Sequence, residues 1–322
     1  GLMLALDLDA YSWEAGSRTP IRATEGTIVD RLPPRVRIRE NAVLELPHIM
    51  VLISDAARSV IEPLAAASAD LPPVYDTTLM QHGGRVTGWA VPQDALPRVA
   101  DALAALHDAL DPADPLLFAM GDGNHSFATA KSCWEDIKPT LAEADRATHP
   151  ARYALVELEN IFDPGLEFEP IHRVLFETTR ADFEAELARH CGSFTAAPAA
   201  SVADVMAAVE TATTQTFGYC DAAGHATYTL LEPAASIPAG TLQLVIDALV
   251  ATGHEVDYIH GADTTSEIGS RPGNLGLFLP AVPKGSFFAS IVADGALPRK
   301  TFSLGEADDK RYYLEARSIR LS

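Results

Sequence analysis

Leu116-Leu117-Phe118-Ala119-Met120-Gly121-Asp122-Gly123-Asn124-His125-Ser126-Phe127-Ala128-Thr129-Ala130-Lys131 is the stretch that decides the fold. A short apolar run enters two glycines, and small polar residues then open a helix. Phe127, Ala130, Trp134 and Ile137 recur at steps of three and four and stop before Pro139, which predicts an amphipathic helix. A strand, a Gly-rich corner and a helix start gather backbone N–H groups around one point. The helix dipole makes that point weakly positive, so it can hold a phosphate or carboxylate without a basic side chain. Gly121, Gly123, Asn124 and Ser126 are the candidate phosphate holders, and Asp122 and His125 can add metal binding or proton transfer. The spacing matches neither G-x-x-x-x-G-K-[ST] nor G-x-G-x-x-G. A tight turn with Asn or Ser capping the helix explains the same glycines.

Outward from the corner the chain alternates strands and helices. Leu2 to Leu8, His48 to Ser54 and Gly84 to Pro92 read as strands, and Leu96, Val99, Leu103, Leu106 and Leu110 step as a helix. Between the first two strands, Arg31-Leu32-Pro33-Pro34-Arg35-Val36-Arg37-Ile38-Arg39 alternates Arg with Val and Ile, which predicts one exposed strand face. Tyr153 to Ile161 has period two, the mark of a half-buried strand. Further helices are expected at Ala181 to His190, Ser201 to Thr211 and Thr241 to Thr252, and strands at Thr216 to Cys220, Thr227 to Leu231, Glu255 to His260 and Asn274 to Leu279. The class is therefore α+β or mixed α/β. Length suggests two parts, 1–115 and 116–322, the second carrying the corner.

Charge narrows the partners. With 24 Lys and Arg against 44 Asp and Glu, the net charge is −20. Such a chain makes a poor nucleic-acid binder, whereas a small anionic ligand remains compatible with a local donor cluster. Cys133, Cys191 and Cys220 are scattered and form no C-x-x-C, as expected of reduced packing residues in a cytoplasmic protein. No apolar run reaches membrane-spanning length, so no membrane partner is expected. H-E-x-x-H, Cys/His zinc spacing and G-x-S-x-G are missing, which argues against structural zinc and α/β-hydrolase chemistry. Mg²⁺ is the metal that acids and a phosphate favour, with Asp122 as its candidate ligand.

Two further patches carry chemistry. Glu167, Glu169, His172 and Arg173 can supply a base and a phosphate fork, or form a surface salt-bridge cluster. Leu297-Pro298-Arg299-Lys300-Thr301-Phe302-Ser303 puts two cations beside two hydroxyls, either a phosphate loop or local charge balance. Arg22, Thr24, Glu25 and Thr27 form a polar knot with a weaker signal, and Tyr258 to Asp263 ends a strand with His and Asp.

These motifs resemble the DUF1015 family of bacterial and archaeal proteins of unknown function. Asp122 to Ala130 resembles that family's Asp-Gly-His-His-Arg-Tyr-x-x-Ala corner; Pro170 to Leu175, its Pro-x-His-Arg-Val-Leu segment. His260 to Asp263 and Pro298 to Ser303 resemble its strand-end turn and final Lys-containing loop. Full-length relatives begin upstream, so a missing N-terminal portion is expected. The corner is in turn similar to that of the ParB/sulfiredoxin superfamily, which includes free-serine kinases and holds nucleotide phosphates there. The resemblance implies a ParB/sulfiredoxin-like nucleotide-site core with an additional α/β domain, and a phosphate site lined by Asp122, Gly123 and His125. This chain departs from it at Asn124, in place of His, and at Ser126, in place of Arg, losing a bidentate guanidinium. The expected activity is nucleotide-dependent phosphoryl transfer, with ATP, ADP or another nucleotide and Mg²⁺, involving a small hydroxyl compound such as serine. Gly121, Gly123, Asn124, Ser126, Lys300 and Thr301 would hold phosphate. Asp122, His125, Glu169, His172 and Arg173 would serve the chemistry, with Glu169 or His172 as base. The alternatives are a phosphatase of a small phosphorylated acid and a non-catalytic nucleotide or metabolite binder.

Overall fold

The computed structural model describes residues 1–46, 49–68, 70–305, 312 and 314–321, and they divide into two units, Gly1–Glu167 with Leu304–Ser322, and Phe168–Ser303. The first unit has strands β1 (Leu2–Asp7), β2 (Tyr11–Ser12), β3 (Ile21–Arg22), β4 (Leu44–Glu45), β5 (Met50–Ile53), β6 (Tyr75–Thr78), β7 (Arg85–Gly88), β8 (Phe118–Asp122) and β9 (Tyr153–Asn160). Its helices are α1 (Leu32–Arg39), α2 (Glu62–Ser68), α3 (Leu96–Asp108), α4 (Asn124–Ile137) and α5 (Glu143–Arg146). The second unit has β10 (Phe168–Phe176), β11 (Phe194–Ala199), β12 (Thr216–Asp221), β13 (Gly224–Leu230), β14 (Glu255–His260), β15 (Leu275–Phe278) and β16 (Phe302–Leu304, reaching the boundary). Its helices are α6 (Arg180–Cys191), α7 (Val202–Thr211), α8 (Pro238–Ala251), α9 (Ala262–Gly269) and α10 (Lys284–Asp294). A last strand, β17 (Arg317–Ser318), pairs β4 of the first unit.

The first unit's main sheet runs β1-β9-β5-β8-β3-β2. It is mixed: β8 lies parallel to β3 and antiparallel to β5, and β5 lies parallel to β9. The apolar opening of β8 suits this central place, because Phe118, Ala119 and Met120 are all buried, residues on both faces included. One face of the sheet packs Val51, Ile53, Met120, Val156 and Leu158 with Phe127, Ala130 and Trp134 of α4. Full burial stabilises a side chain such as Phe127 by about 1.5–3 kcal/mol. Trp134 also buries a polar atom, and its Nε1–H donates to Asp9 Oδ1 at 2.9 Å, so that burial leaves no orphan donor.

Two sequence expectations change here. The Arg-rich passage is a helix, α1, preceded by a 3₁₀ turn at Val29–Arg31, not a strand. Pro33 and Pro34 occupy its first turn, where the ring's fixed φ favours the helix and no amide is lost to a ladder. Only Leu32 is buried, so alternation of exposed residues carried no strand information. A division at residue 115 falls inside the first unit, because β8 sits between the earlier strands β3 and β5. His48, the expected start of one strand, lies outside the described residues; that strand is seen as β5.

The second unit's sheet runs β11-β13-β12-β15-β10-β14, with β16 beside β10. β12 shows how helices cover both faces. Phe217 and Tyr219 turn toward Phe183 of α6, with ring centroids 5.9 and 6.1 Å apart. Cys220, of opposite parity, packs with Val205 and Val209 of α7. Gly276 of β15 lets α9 approach closely: a Cβ on Gly269 would stand 2.5 Å from the Gly276 Cα.

Candidate functional site

The corner is built by one glycine. Gly123 sits at φ 85°, ψ 21°, the left-handed region, and forms the N-cap of α4. A β-carbon there costs about 1–2 kcal/mol, so the strand turns directly into the helix because this residue has none. Asp122 Oδ1 accepts the Gly123 N–H at 2.7 Å. Gly123, the N-cap, has no side chain to cap the first turn of α4. The amides of that turn point out of the helix end and carry its positive dipole. Ser126 is exposed there, Gly121, Asp122, Gly123 and His125 are half-buried, and Asn124 is buried.

A second segment closes over this corner. Asn124 Oδ1 accepts the backbone N–H of Thr24 at 3.1 Å, and Thr24 Oγ1 donates to the Met120 carbonyl at 2.6 Å. Four residues on, the Ile28 N–H donates to His125 Nε2 at 3.3 Å. An acceptor at Nε2 places the ring proton of neutral His125 on Nδ1. The loop carrying Thr24, Glu25, Gly26 and Thr27 is thereby tied at both ends to the start of α4. Thr24 and Glu25 drew only a weak signal in the sequence, because their partner lies far along the chain. Arg22 of the same knot is committed elsewhere, to Asp114 at 2.6 Å and the Ser17 carbonyl at 3.2 Å.

The remaining site residues belong to the second unit. Glu169 is exposed on β10. His172 is 2 % exposed, and its Nδ1 accepts the Leu279 N–H at 3.1 Å. Burial, with Arg173 and His260 nearby, lowers its pKa to about 4, so the ring is neutral at pH 7. Arg173 is fully buried, stacks over Tyr258 at 5.0 Å and donates to the Ile171 carbonyl. His172 and Arg173 are thus interior residues of β10 and not members of a surface salt-bridge cluster. Lys300 is exposed, at φ 61°. Thr301 is buried and donates its hydroxyl to the Pro298 carbonyl at 2.6 Å. The structure therefore joins Asn124 and His125 to Thr24 and Ile28, with Asp122 bonded to Gly123, while Glu169, His172, Arg173, Lys300 and Thr301 lie in the second unit.

The described residues contain no group of three His, Cys, Asp or Glu side chains arranged to hold a metal. Mg²⁺ does not need one, since it binds through one or two carboxylates plus phosphate oxygens and water. Asp122, beside the first-turn amides, fits that mode. No described helix is long and apolar enough to cross a membrane.

The model of a family described as "Protein of unknown function (DUF1015)" matches residues 1–250. No curated protein matches the chain in sequence. Among solved structures, a free serine kinase variant in complex with AMP superposes with a TM-score of 0.52 at 8% identity, covering 99% of this chain and 91% of that one. A free serine kinase variant in complex with ADP gives 0.51 at 8% identity, covering 99% and 92%. The chain shares their mixed α/β fold.

Proposed function

This chain belongs to the DUF1015 family, and from that premise we propose that it is a nucleotide-dependent phosphotransferase acting on a small hydroxyl compound, with serine the first candidate. The observation that carries the proposal is the left-handed Gly123 at the head of α4, an N-cap without a side chain of its own beside a polar loop tied to Asn124 and His125. Such an end binds oxyanions through amides and dipole together. The shared fold with proteins solved with AMP and ADP supports an adenine nucleotide as the ligand.

In this proposal the amides of Gly123 to Ser126 hold phosphate and Asp122 holds Mg²⁺. The substrate hydroxyl oxygen bonds to phosphorus as the bond to the nucleoside diphosphate oxygen breaks. The hydroxyl proton passes to a carboxylate. The first unit supplies Glu25 for that task, on the loop tied to Asn124 and His125. Positioning and charge stabilisation carry most of such a reaction.

A binding-only protein is the second reading, favoured by Ser126 where related corners carry Arg. Calorimetric titration with ATP, ADP, AMP and CTP, with and without Mg²⁺, tests nucleotide binding, and silence across the set refutes the proposal. Product analysis with ATP and serine then separates transfer from binding alone, and Glu25→Gln should abolish transfer.

A further inference from the structure

We infer that Arg31 and Arg35 form the cationic wall of this same site, and that its ligand is a nucleoside di- or triphosphate in preference to a monophosphate. The inference rests on the nucleotide reading above and adds where the outer phosphates sit. The chain leads from the corner to these residues in two short steps. Ile28 is bonded to His125 Nε2, and the Arg31 N–H returns to the Ile28 carbonyl at 3.0 Å, closing a turn. A turn of that kind keeps its end residues within about 7 Å. Arg35 then donates Nη1 to the Arg31 carbonyl at 2.9 Å, so its guanidinium folds back along α1 toward that turn. Pro33 and Pro34 stiffen the segment between them, and α1 packs along α4.

The charge pattern is the second observation. Arg22 and Arg39 are each engaged by a carboxylate, Asp114 at 2.6 Å and Glu45 at 2.5 Å. Arg31 and Arg35 are exposed, and among the described residues neither forms an ion pair, on a chain with net charge −20. Two neighbouring guanidinium groups repel each other, and a bridging anion removes that repulsion. Planar, bidentate donors match phosphate oxygens. They also replace what Ser126 lacks: the guanidinium that the corner has lost is supplied from the adjoining helix. The amides of α4 would hold the phosphate nearest the nucleoside, and Arg31 with Arg35 those beyond it.

Titration of AMP, ADP, ATP and inorganic pyrophosphate into wild type, Arg31→Ala, Arg35→Ala and the double variant tests this, with circular dichroism confirming the fold. Wild type should prefer ADP and ATP over AMP. Each single variant should weaken ADP by about ten-fold while AMP stays unchanged. Arg37→Ala is the control, because residues two apart on a helix face different sides, and it should bind ADP like wild type. If wild type binds ADP and the Arg31 and Arg35 variants bind it equally well, the inference is overturned while the nucleotide reading stands. If wild type binds no nucleotide, both fall together.

Discussion

Replacing Asn124 by Ala removes the acceptor that holds the Thr24 amide, a bond of 3.1 Å to a residue that is fully buried. The Thr24 N–H is then left inside the first unit with no bond at that position. Leaving a buried donor unsatisfied costs about 1–3 kcal/mol, more than the net value of an ordinary hydrogen bond. For a body of this size each kcal/mol lowers Tm by about 2–4 °C, so the variant should melt about 2–12 °C below wild type. Asn124→Asp retains Oδ1 as acceptor, gives up only the long 3.4 Å bond from Nδ2 to Thr24 Oγ1, and adds a charge that a helix N-terminus favours. It should keep most of the stability. Its negative charge would lie where the proposal seats a phosphate, so ADP affinity should fall sharply. Differential scanning calorimetry, with hydrogen exchange at Thr24 and Ile28, reads both effects. Equal melting of Asn124→Ala and wild type, with Thr24 exchange unchanged, would refute the idea that the corner and loop are one structural unit.

Two further perturbations probe the second unit. His172 has a folded pKa near 4 against about 6.5 when unfolded, so the unfolded chain binds the extra proton between those values. Stability should fall as pH drops from about 6.5 to 4, by up to about 3 kcal/mol, and His172→Gln should flatten that slope in urea titrations followed by tryptophan-independent far-UV signal. Gly269→Ala drives a methyl to 2.5 Å from the Gly276 backbone, which cannot swing aside as a side chain would. A loss of about 1–3 kcal/mol is expected from such overpacking, and a stability unchanged in chemical denaturation would show that α9 shifts freely.

What the sequence exposes is local. Phe127, Ala130, Trp134 and Ile137 fix the helix because one face must be apolar every three or four residues, and α4 occupies Asn124–Ile137. The same logic failed at 31–39, where too few residues are buried for any period to be imposed. Non-local pairing is invisible to such patterns. Nothing in Thr24 or Ile28 announces a bond to Asn124 or His125, although the polar character of the passage was plain. Likewise the depth of His172 and Arg173 follows from β10 lying between β14 and β15, a topology that four adjacent ionisable residues do not reveal.

Central to the account is an oxyanion seated on the first turn of α4. Backbone amide spectra of the labelled protein, recorded during titration with ADP and separately with adenosine, address it residue by residue. Large shifts at Gly123, Asn124 and Ser126 are expected with ADP and small ones with adenosine. ADP binding that leaves those three amides unmoved would contradict it.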